Sequence, residues 1–319
     1  MATLVFDIGG TKTRAGLFDC RQSSLIRSVS GATPNHLDFP GSSFEELCER
    51  LVSLMHRLAG EIIAGPAVTE INIAFAGPID PSGNVLAAPT IWGTRLTRPY
   101  PLSEDIARRW PNARVKIMND VTAAGYRYRR SIDEEFCIVT VSSGIGNKVF
   151  ASGRPLVGRN GAGGELGHLR VDDSASAPVC ECGGRGHLGA VSSGRAVLEY
   201  ARTRAPERAR VEGLTSGDLV AAFRRAEPWA VEIIEHRAGP LGWALAAMHL
   251  GLGIERFVLI GGFALALGDA YRRLVAEAAD SRCWGRPGNW MTRVELGVND
   301  DVSGLIGAGI AGLPQEGAL

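Results

Sequence analysis

Lysine is almost absent from this 319-residue chain, occurring only as Lys12, Lys116 and Lys148, so arginine carries nearly all the positive charge. Acidic and basic residues balance to a formal net charge of +0. The basic surplus of a nucleic-acid-binding surface is therefore missing. Cysteine is scarce too. Six in a chain this long make no disulfide scaffold, and Cys20, Cys48, Cys137 and Cys283 are scattered as small apolar residues would be. Long apolar runs are lacking. The most apolar helix-like stretch, 241–253, contains His249 and is too short to span a bilayer. Residues 1–7 hold no basic n-region, so a soluble cytoplasmic protein without a signal peptide is expected. No low-complexity linker interrupts the chain. Its 45% hydrophobic and 21% charged residues are ordinary for a globular protein, and its length suits two domains or two lobes.

What is there repeats itself. An apolar run at 3–6 ends in Asp7, passes through Gly9-Gly10-Thr11 and returns as 14–18, which predicts strand, tight turn, strand. The same pattern recurs: a buried strand at 137–141, a turn over Ser142-Ser143-Gly144-Ile145-Gly146, and a returning strand from Lys148. Two copies, each opening one half of the chain, predict a duplicated α/β fold with a cleft between the halves. Residues 44–64 carry apolar positions at helical spacing. Strands are expected at 71–75, 115–118 and 257–260, helices from 230 to 250, and a small-residue helix at 304–311.

The glycine turns carry chemistry. Asp7-Ile8-Gly9-Gly10-Thr11-Lys12-Thr13 lets successive N–H groups face one anion, with a hydroxyl and an ammonium as further donors. It is neither a Walker A loop nor a Rossmann fingerprint, because a strand follows the glycines. Ser143-Gly144-Ile145-Gly146 is a second candidate phosphate turn, and Gly261-Gly262 allows close approach at a third strand end. Each also reads as a plain turn. Asp7 suits Mg²⁺, held directly or through water. Asn119-Asp120, between a strand and a helix, reads either as a helix cap or as a carboxylate placed to take a hydroxyl proton. His168, Cys180, Cys182 and His187 form a compact set of four ligands, which predicts structural Zn²⁺ ahead of the alternative of two buried thiols and two ordinary histidines, with Glu165 three residues before the first.

Taken together, the motifs resemble the ROK family of bacterial glucokinases, related sugar kinases and sugar-responsive repressors. The resemblance rests on Asp7-Ile-Gly-Gly-Thr-Lys-Thr, Gly77-Pro-Ile-Asp80, Asn119-Asp-Val-Thr-Ala-Ala, Gly144-Ile-Gly146, Gly161-Ala-Gly-Gly-Glu-Leu-Gly-His168, Cys180-x-Cys182-Gly-Gly-Arg-Gly and Gly261-Gly262. It runs in order to about Gly309. It implies an actin-like (ribonuclease H-like) ATPase fold, with residues 1–120 plus about 303–319 as a small domain and 121–302 as a large domain carrying the zinc loop. It implies ATP and Mg²⁺, and a homodimer. Asp120 matches the catalytic base; Gly77, Thr90, Asn119, Glu165 and His168 match positions around the sugar. Asp7, Gly9, Gly10, Thr11, Lys12, Ser143, Gly144 and Gly146 match the phosphate loops, and Gly261 and Gly262 lie near the nucleoside. His168, Cys180 and Cys182 match zinc ligands.

The chain departs from the family pattern at several places. A third zinc cysteine is His187, a sugar-binding glutamate is Gly189, an asparagine is Thr90, and the second phosphate turn reads Ser-Ser-Gly-Ile-Gly-Asn-Lys. The expectation is an ATP-dependent kinase for a hydroxyl of a hexose, aminosugar or sugar-like cyclitol, with Asp120 as base and Lys12 or Lys148 beside the phosphoryl oxygens. The competing expectation is a non-catalytic sugar-binding or regulatory relative. The phosphate motif begins by Asp7, so a helix-turn-helix ahead of it is not expected.

Overall fold

The computed structural model describes residues 2–63, 68–158, 163–207, 213–284 and 289–314. The chain opens with β1 (Ala2–Ile8), β2 (Lys12–Asp19) and β3 (Ser24–Ala32), an antiparallel meander. Helix α1 (Phe44–Ile62) follows, started by a capping box between Ser43 and Glu46. It buries Leu47, Leu51, Leu54, Met55, Leu58 and Ile62 against the sheet, a stripe at helical spacing. Then come β4 (Glu70–Phe75), short α2 (Pro89–Trp92), α3 (Leu102–Arg109), β5 (Arg114–Asn119) and α4 (Asp120–Tyr128). β1, β4 and β5 run parallel, and the sheet order is β3-β2-β1-β4-β5.

The second half repeats this plan. β6 (Phe136–Val141), β7 (Ile145–Ala151) and the two-residue β8 (Arg154–Pro155) form the meander. Helices α5 (Leu188–Ser192), α6 (Gly194–Arg204), α7 (Ser216–Arg224) and α8 (Pro228–Leu252) lead to β9 (Phe257–Ile260). They are followed by α9 (Gly262–Leu267), α10 (Asp269–Asp280), α11 (Trp290–Arg293), β10 (Val294–Leu296) and α12 (Ser303–Gly312). The order β8-β7-β6-β9-β10, with β6, β9 and β10 parallel, is the topology of the first sheet over again. The helices expected at 230–250 are one helix. α8 runs through Pro240 and stops at Gly253, which takes the left-handed conformation.

The chain divides into two units, Met1–Arg129 with Val157–Ala162 and Asp300–Leu319, and Arg130–Leu156 with Gly163–Asn299. The break falls after Arg129 rather than after residue 120, because α4 packs on α12. A Cβ on Gly307 would lie 1.8 Å from the Ala123 carbonyl oxygen, so only glycine lets the two helices approach this closely. Each unit has its own core. Phe6, Ile8, Leu51, Met55, Ile73 and Trp92 are buried in the first, and Val139, Ile234, Leu241, Leu259, Val275 and Trp290 in the second. Among the described residues, no helix is long and apolar enough to cross a membrane.

Candidate active site

In the first unit the candidate residues gather at the C-terminal ends of the parallel strands, where open α/β sheets bind ligands. Asp7 is the next-to-last residue of β1, Gly77 follows β4, and Asn119 and Asp120 join β5 to α4. The turn between β1 and β2 is closed by Gly9 N–H on the Lys12 carbonyl at 3.0 Å and by the Thr33 hydroxyl on the Gly9 carbonyl at 2.7 Å. Thr11 and Lys12 are exposed beside it. Thr90, on α2, sits against this turn; a Cβ on Gly10 would come within 2.6 Å of the Thr90 Cβ.

Asp7 faces the Arg14 guanidinium at 3.4 Å, its antiparallel partner across the hairpin. Burial pushes its carboxyl from the ordinary 3.8 to about 7; Arg14 opposes the rise, while Asp120 and Asp301 add to it. The ionised form is thus under-compensated, which suits a cation. A Cβ on Gly304, in the first turn of α12, would lie 2.7 Å from the Asp7 carboxyl carbon, so a side chain there would displace the carboxylate.

Asn119 and Asp120 divide the two readings of their pair between them. Asn119 is the N-cap of α4, its Oδ1 accepting from Thr122 N–H at 3.1 Å. Its Nδ2 donates to the Gly77 carbonyl at 3.1 Å and to Asp120 Oδ1 at 2.9 Å. Asp120 Oδ1 also accepts from Val121 N–H at 2.9 Å. One carboxylate oxygen is therefore held, and Oδ2 carries no hydrogen bond to these partners. Burial raises the Asp120 pKa to about 6, against hydrogen bonds that lower it. A carboxylate with a pKa near the working pH is both deprotonated and a useful proton acceptor.

In the second unit, Ser143 and Gly144 are exposed on the turn after β6, closed by Ser142 N–H on the Gly144 carbonyl at 2.9 Å. Gly146 lies in β7 itself, one step beyond the turn. Gly261 follows β9 with a φ of +94° and precedes α9, and open space surrounds the Cβ position of Gly262. Both features are what a close backbone approach to a ligand requires.

His168, Cys180, Cys182 and His187 converge, their ligand atoms all lying within 4.8 Å of one another. Cys182 Sγ is 3.2 Å from His187 Nδ1, and Cys180 Sγ is 3.8 Å from His168 Nδ1. Metal bonds of about 2.0–2.3 Å in a tetrahedron place neighbouring ligands roughly 3.3–3.8 Å apart; the two Cys–His pairs stand near that spacing, and the donor set of two thiols and two imidazoles is one that Zn²⁺ takes. The Cys180 loop is a tight knuckle, with Cys180 N–H on the Gly184 carbonyl at 2.7 Å and Gly183 N–H on the Cys180 carbonyl at 2.8 Å. His187 is the residue that starts α5. His168 turns its other nitrogen, Nε2, to Glu165 Oε2 at 3.9 Å.

The sequence matches the model of the ROK family over residues 3–312. The chain belongs to the ROK family. It is 37% identical to a C(7)-cyclitol 7-kinase from Streptomyces hygroscopicus subsp. jinggangensis, over 99% of this chain and 95% of that one. It is 26% identical to an N-acetylmannosamine kinase from Pasteurella multocida, over 97% and 95%. Among solved structures, it resembles a ROK family glucokinase from Streptomyces griseus in complex with glucose and AMPPNP. There the TM-score is 0.75 at 25% identity, covering 97% of this chain and 98% of that one. The two matching sheets accord with the actin-like plan of this family.

Against that family pattern, two sets of expected residues are each brought together. One is Asp7, Gly9, Gly10, Gly77, Thr90, Asn119 and Asp120; the other is Glu165, His168, Cys180, Cys182 and His187. Gly161 and Ala162 of the glycine-rich lead lie outside the described residues. Gly189, where the family pattern has glutamate, is in α5, and a Cβ there would meet the Gly167 carbonyl oxygen at 3.2 Å. Lys148 does not stand free for phosphoryl oxygens; its ammonium donates to the Gly163 carbonyl. Sequence reasoning missed Arg14, Gly304 and Asn147. Only the hairpin register, which sets Arg14 opposite Asp7, carried a readable signal for any of them.

Proposed function

We propose that this chain is an ATP-dependent kinase that transfers a phosphoryl group to a hydroxyl of a sugar-like polyol, with a cyclitol as the preferred acceptor over a hexose or an aminosugar. The carrying observation is Asp120, a buried carboxylate with one oxygen held by Asn119 and Val121, the other unengaged by them, and a pKa raised to about 6. Oδ2 takes the hydroxyl proton as the oxygen attacks the γ-phosphorus in line. The 37% identity to a cyclitol kinase, together with glycine at position 189, supports a cyclitol acceptor.

The glycine turns at Gly9-Gly10-Thr11 and at Ser143-Gly144, with Gly146 and Lys12 beside them, are assigned to the phosphates of ATP, and Gly261-Gly262 to its nucleoside. Mg²⁺ held at Asp7, directly or through water, would supply charge neutralisation to the phosphoryl oxygens. Gly77, Thr90, Glu165 and His168 are assigned to the acceptor. Asn119, whose amide hydrogens are both committed, acts by fixing Asp120. Zn²⁺ on His168, Cys180, Cys182 and His187 would supply structural bracing to the loop that carries His168. Residues up to 129 with α12 form the smaller catalytic domain, and the protein works as a homodimer.

ADP release measured over a panel of carbocyclic polyols, glucose, glucosamine and N-acetylmannosamine tests the assignment. The highest kcat/KM is expected with a carbocyclic acceptor. ADP release with none of them, despite measurable polyol binding, would show a non-catalytic sugar-binding protein instead.

The pH dependence follows from the two carboxylates. Asp120 must be ionised to act, so kcat/KM for the acceptor is expected to fall about tenfold per pH unit below about 6. Stability runs the other way. Asp7 and Asp120 hold protons in the folded state that the unfolded chain has released above its ordinary 3.8. Their contribution therefore declines as pH rises from about 4 to about 7. Differential scanning fluorimetry should show Mg²⁺ recovering more of this loss at pH 8 than at pH 5, where Mg²⁺ must displace the Asp7 proton.

A further inference from the structure

Asn147 and Lys148 are polar residues inside β7, yet they are only 5% and 6% exposed. Burying an ammonium is costly unless partners repay the lost hydration. The Lys148 Nζ donates to the Gly163 carbonyl oxygen at 2.5 Å, and the ammonium is electrostatically coupled to the Glu165 carboxylate. Asn147 Oδ1 accepts the Leu166 N–H at 3.0 Å, while its Nδ2 points to Cys137 Sγ at 3.7 Å. The backbone closes the same contact. A Cβ on Gly164 would lie 2.3 Å from the Asn147 carbonyl oxygen, and one on Gly167 would lie 2.3 Å from that of Ile145. Residues 163–168 therefore lie hard against β7. Neighbouring side chains leave a strand on opposite faces, yet both Asn147 and Lys148 make a hydrogen bond to this segment.

We infer that Lys148 and Asn147 are positioning residues that clamp residues 163–168 onto β7 and so set where Glu165 and His168 stand. The inference rests on the assignment of Glu165 and His168 to the acceptor. Lys148 grips the start of the segment and Asn147 its middle. The glycines at 164 and 167 remove the side chains that would hold the segment off the strand. Glu165 lies between the two grips, and His168 follows directly after them. Without the clamp, Glu165 is presented by a glycine-rich stretch with many conformations, and ordering it again on binding costs affinity for the acceptor.

The test is Lys148→Met, which keeps the apolar stem and deletes the ammonium, with Lys148→Arg as the conservative variant. Hydrogen–deuterium exchange on the free protein reads the segment without any substrate. Lys148→Met is expected to speed exchange at residues 164–168 by at least tenfold while strand β6 stays protected. It is expected to raise KM for the acceptor about tenfold, with KM for ATP within twofold. Lys148→Arg should recover most of both. Should Lys148→Met not fold, Asn147→Ala serves, with faster exchange of the Leu166 amide as its expected result. Unchanged exchange with a raised KM for ATP would overturn the inference and return Lys148 to the phosphoryl donor. Unchanged exchange in both Lys148→Met and Asn147→Ala would also overturn it. Faster exchange in a protein whose wild type phosphorylates no acceptor would leave the clamp standing and remove the kinase assignment.

Discussion

Asp120→Asn is expected to lower kcat roughly 10³-fold, within the range of 10²–10⁴ that a positioned general base contributes. The substitution is nearly isosteric. The asparagine Oδ1 can still accept from Asn119 Nδ2 and Val121 N–H, the two donors that hold this side chain now. What changes is the second oxygen, which becomes an NH₂ group with no lone pair for a proton. Acceptor and ATP dissociation constants, measured by calorimetry, should therefore stay within a few-fold of wild type. The acid limb of the pH profile should disappear with the base. Stability gives an independent check. Burial moves the Asp120 pKa from 3.8 to about 6, so its ionised form costs the folded state free energy. At roughly 1.4 kcal/mol per tenfold change in ionisation, that cost is at most about 3 kcal/mol above pH 7. The neutral variant should thus melt no lower than wild type at pH 8, and higher if desolvation dominates. Wild-type turnover in this variant would move the base elsewhere.

His187→Ala is expected to cost the protein its zinc. A ligand supplies a bond directly, so its loss should exceed the 10–100-fold in metal affinity typical of losing an outer-shell partner. Metal analysis by mass spectrometry after dialysis should find near-stoichiometric zinc in wild type and little in the variant. His187→Cys should keep the metal, because thiolate and imidazole both serve Zn²⁺. Structural zinc binding is linked to folding, so chelator should lower the melting temperature of wild type and leave His187→Ala unmoved. The linkage has a clear structural route here. His187 starts α5, His168 closes the short turn at Leu166–His168, and the Cys180 knuckle lies between them in sequence. Equal zinc in the variant and wild type would show that His187 is not a ligand.

Much of the architecture was legible because its signals are local. The strand–glycine–strand pattern around Asp7 and around Gly144 depends on apolar alternation and on turn residues. It foretold a duplication that the two identical sheet orders display. The stripe from Leu47 to Ile62 foretold α1 in the same way. Strand β3 was not legible: Ser24–Ala32 buries little and has almost no apolar contrast. It is a strand because β2 offers it an edge to pair with. The stretch 230–250 was legible as helical and forms the single helix α8, although Pro240 argues locally against a continuous helix. Burial of Leu241, Ala244 and Leu245 against α10 and the sheet outweighs that local cost.

By itself the sequence determined which residue types are available for chemistry and their local settings: the glycine turns, the Asn119-Asp120 pair, and the Cys180 and Cys182 pair flanked by histidines. These depend on neighbours a few residues away, and short-range sterics and spacing are enough to reveal them. Only the tertiary structure decided how distant residues set their working state. Gly304 leaves room for Asp7, Arg14 opposes it across the hairpin, and burial lifts the Asp7 and Asp120 pKa values. Lys148 provides the sharpest case. As a rare lysine beside a phosphate turn it read as a charge for ATP, but the fold buries it against the Gly163 carbonyl. Desolvation and long-range hydrogen bonding depend on what packs around a group, and linear sequence does not display that.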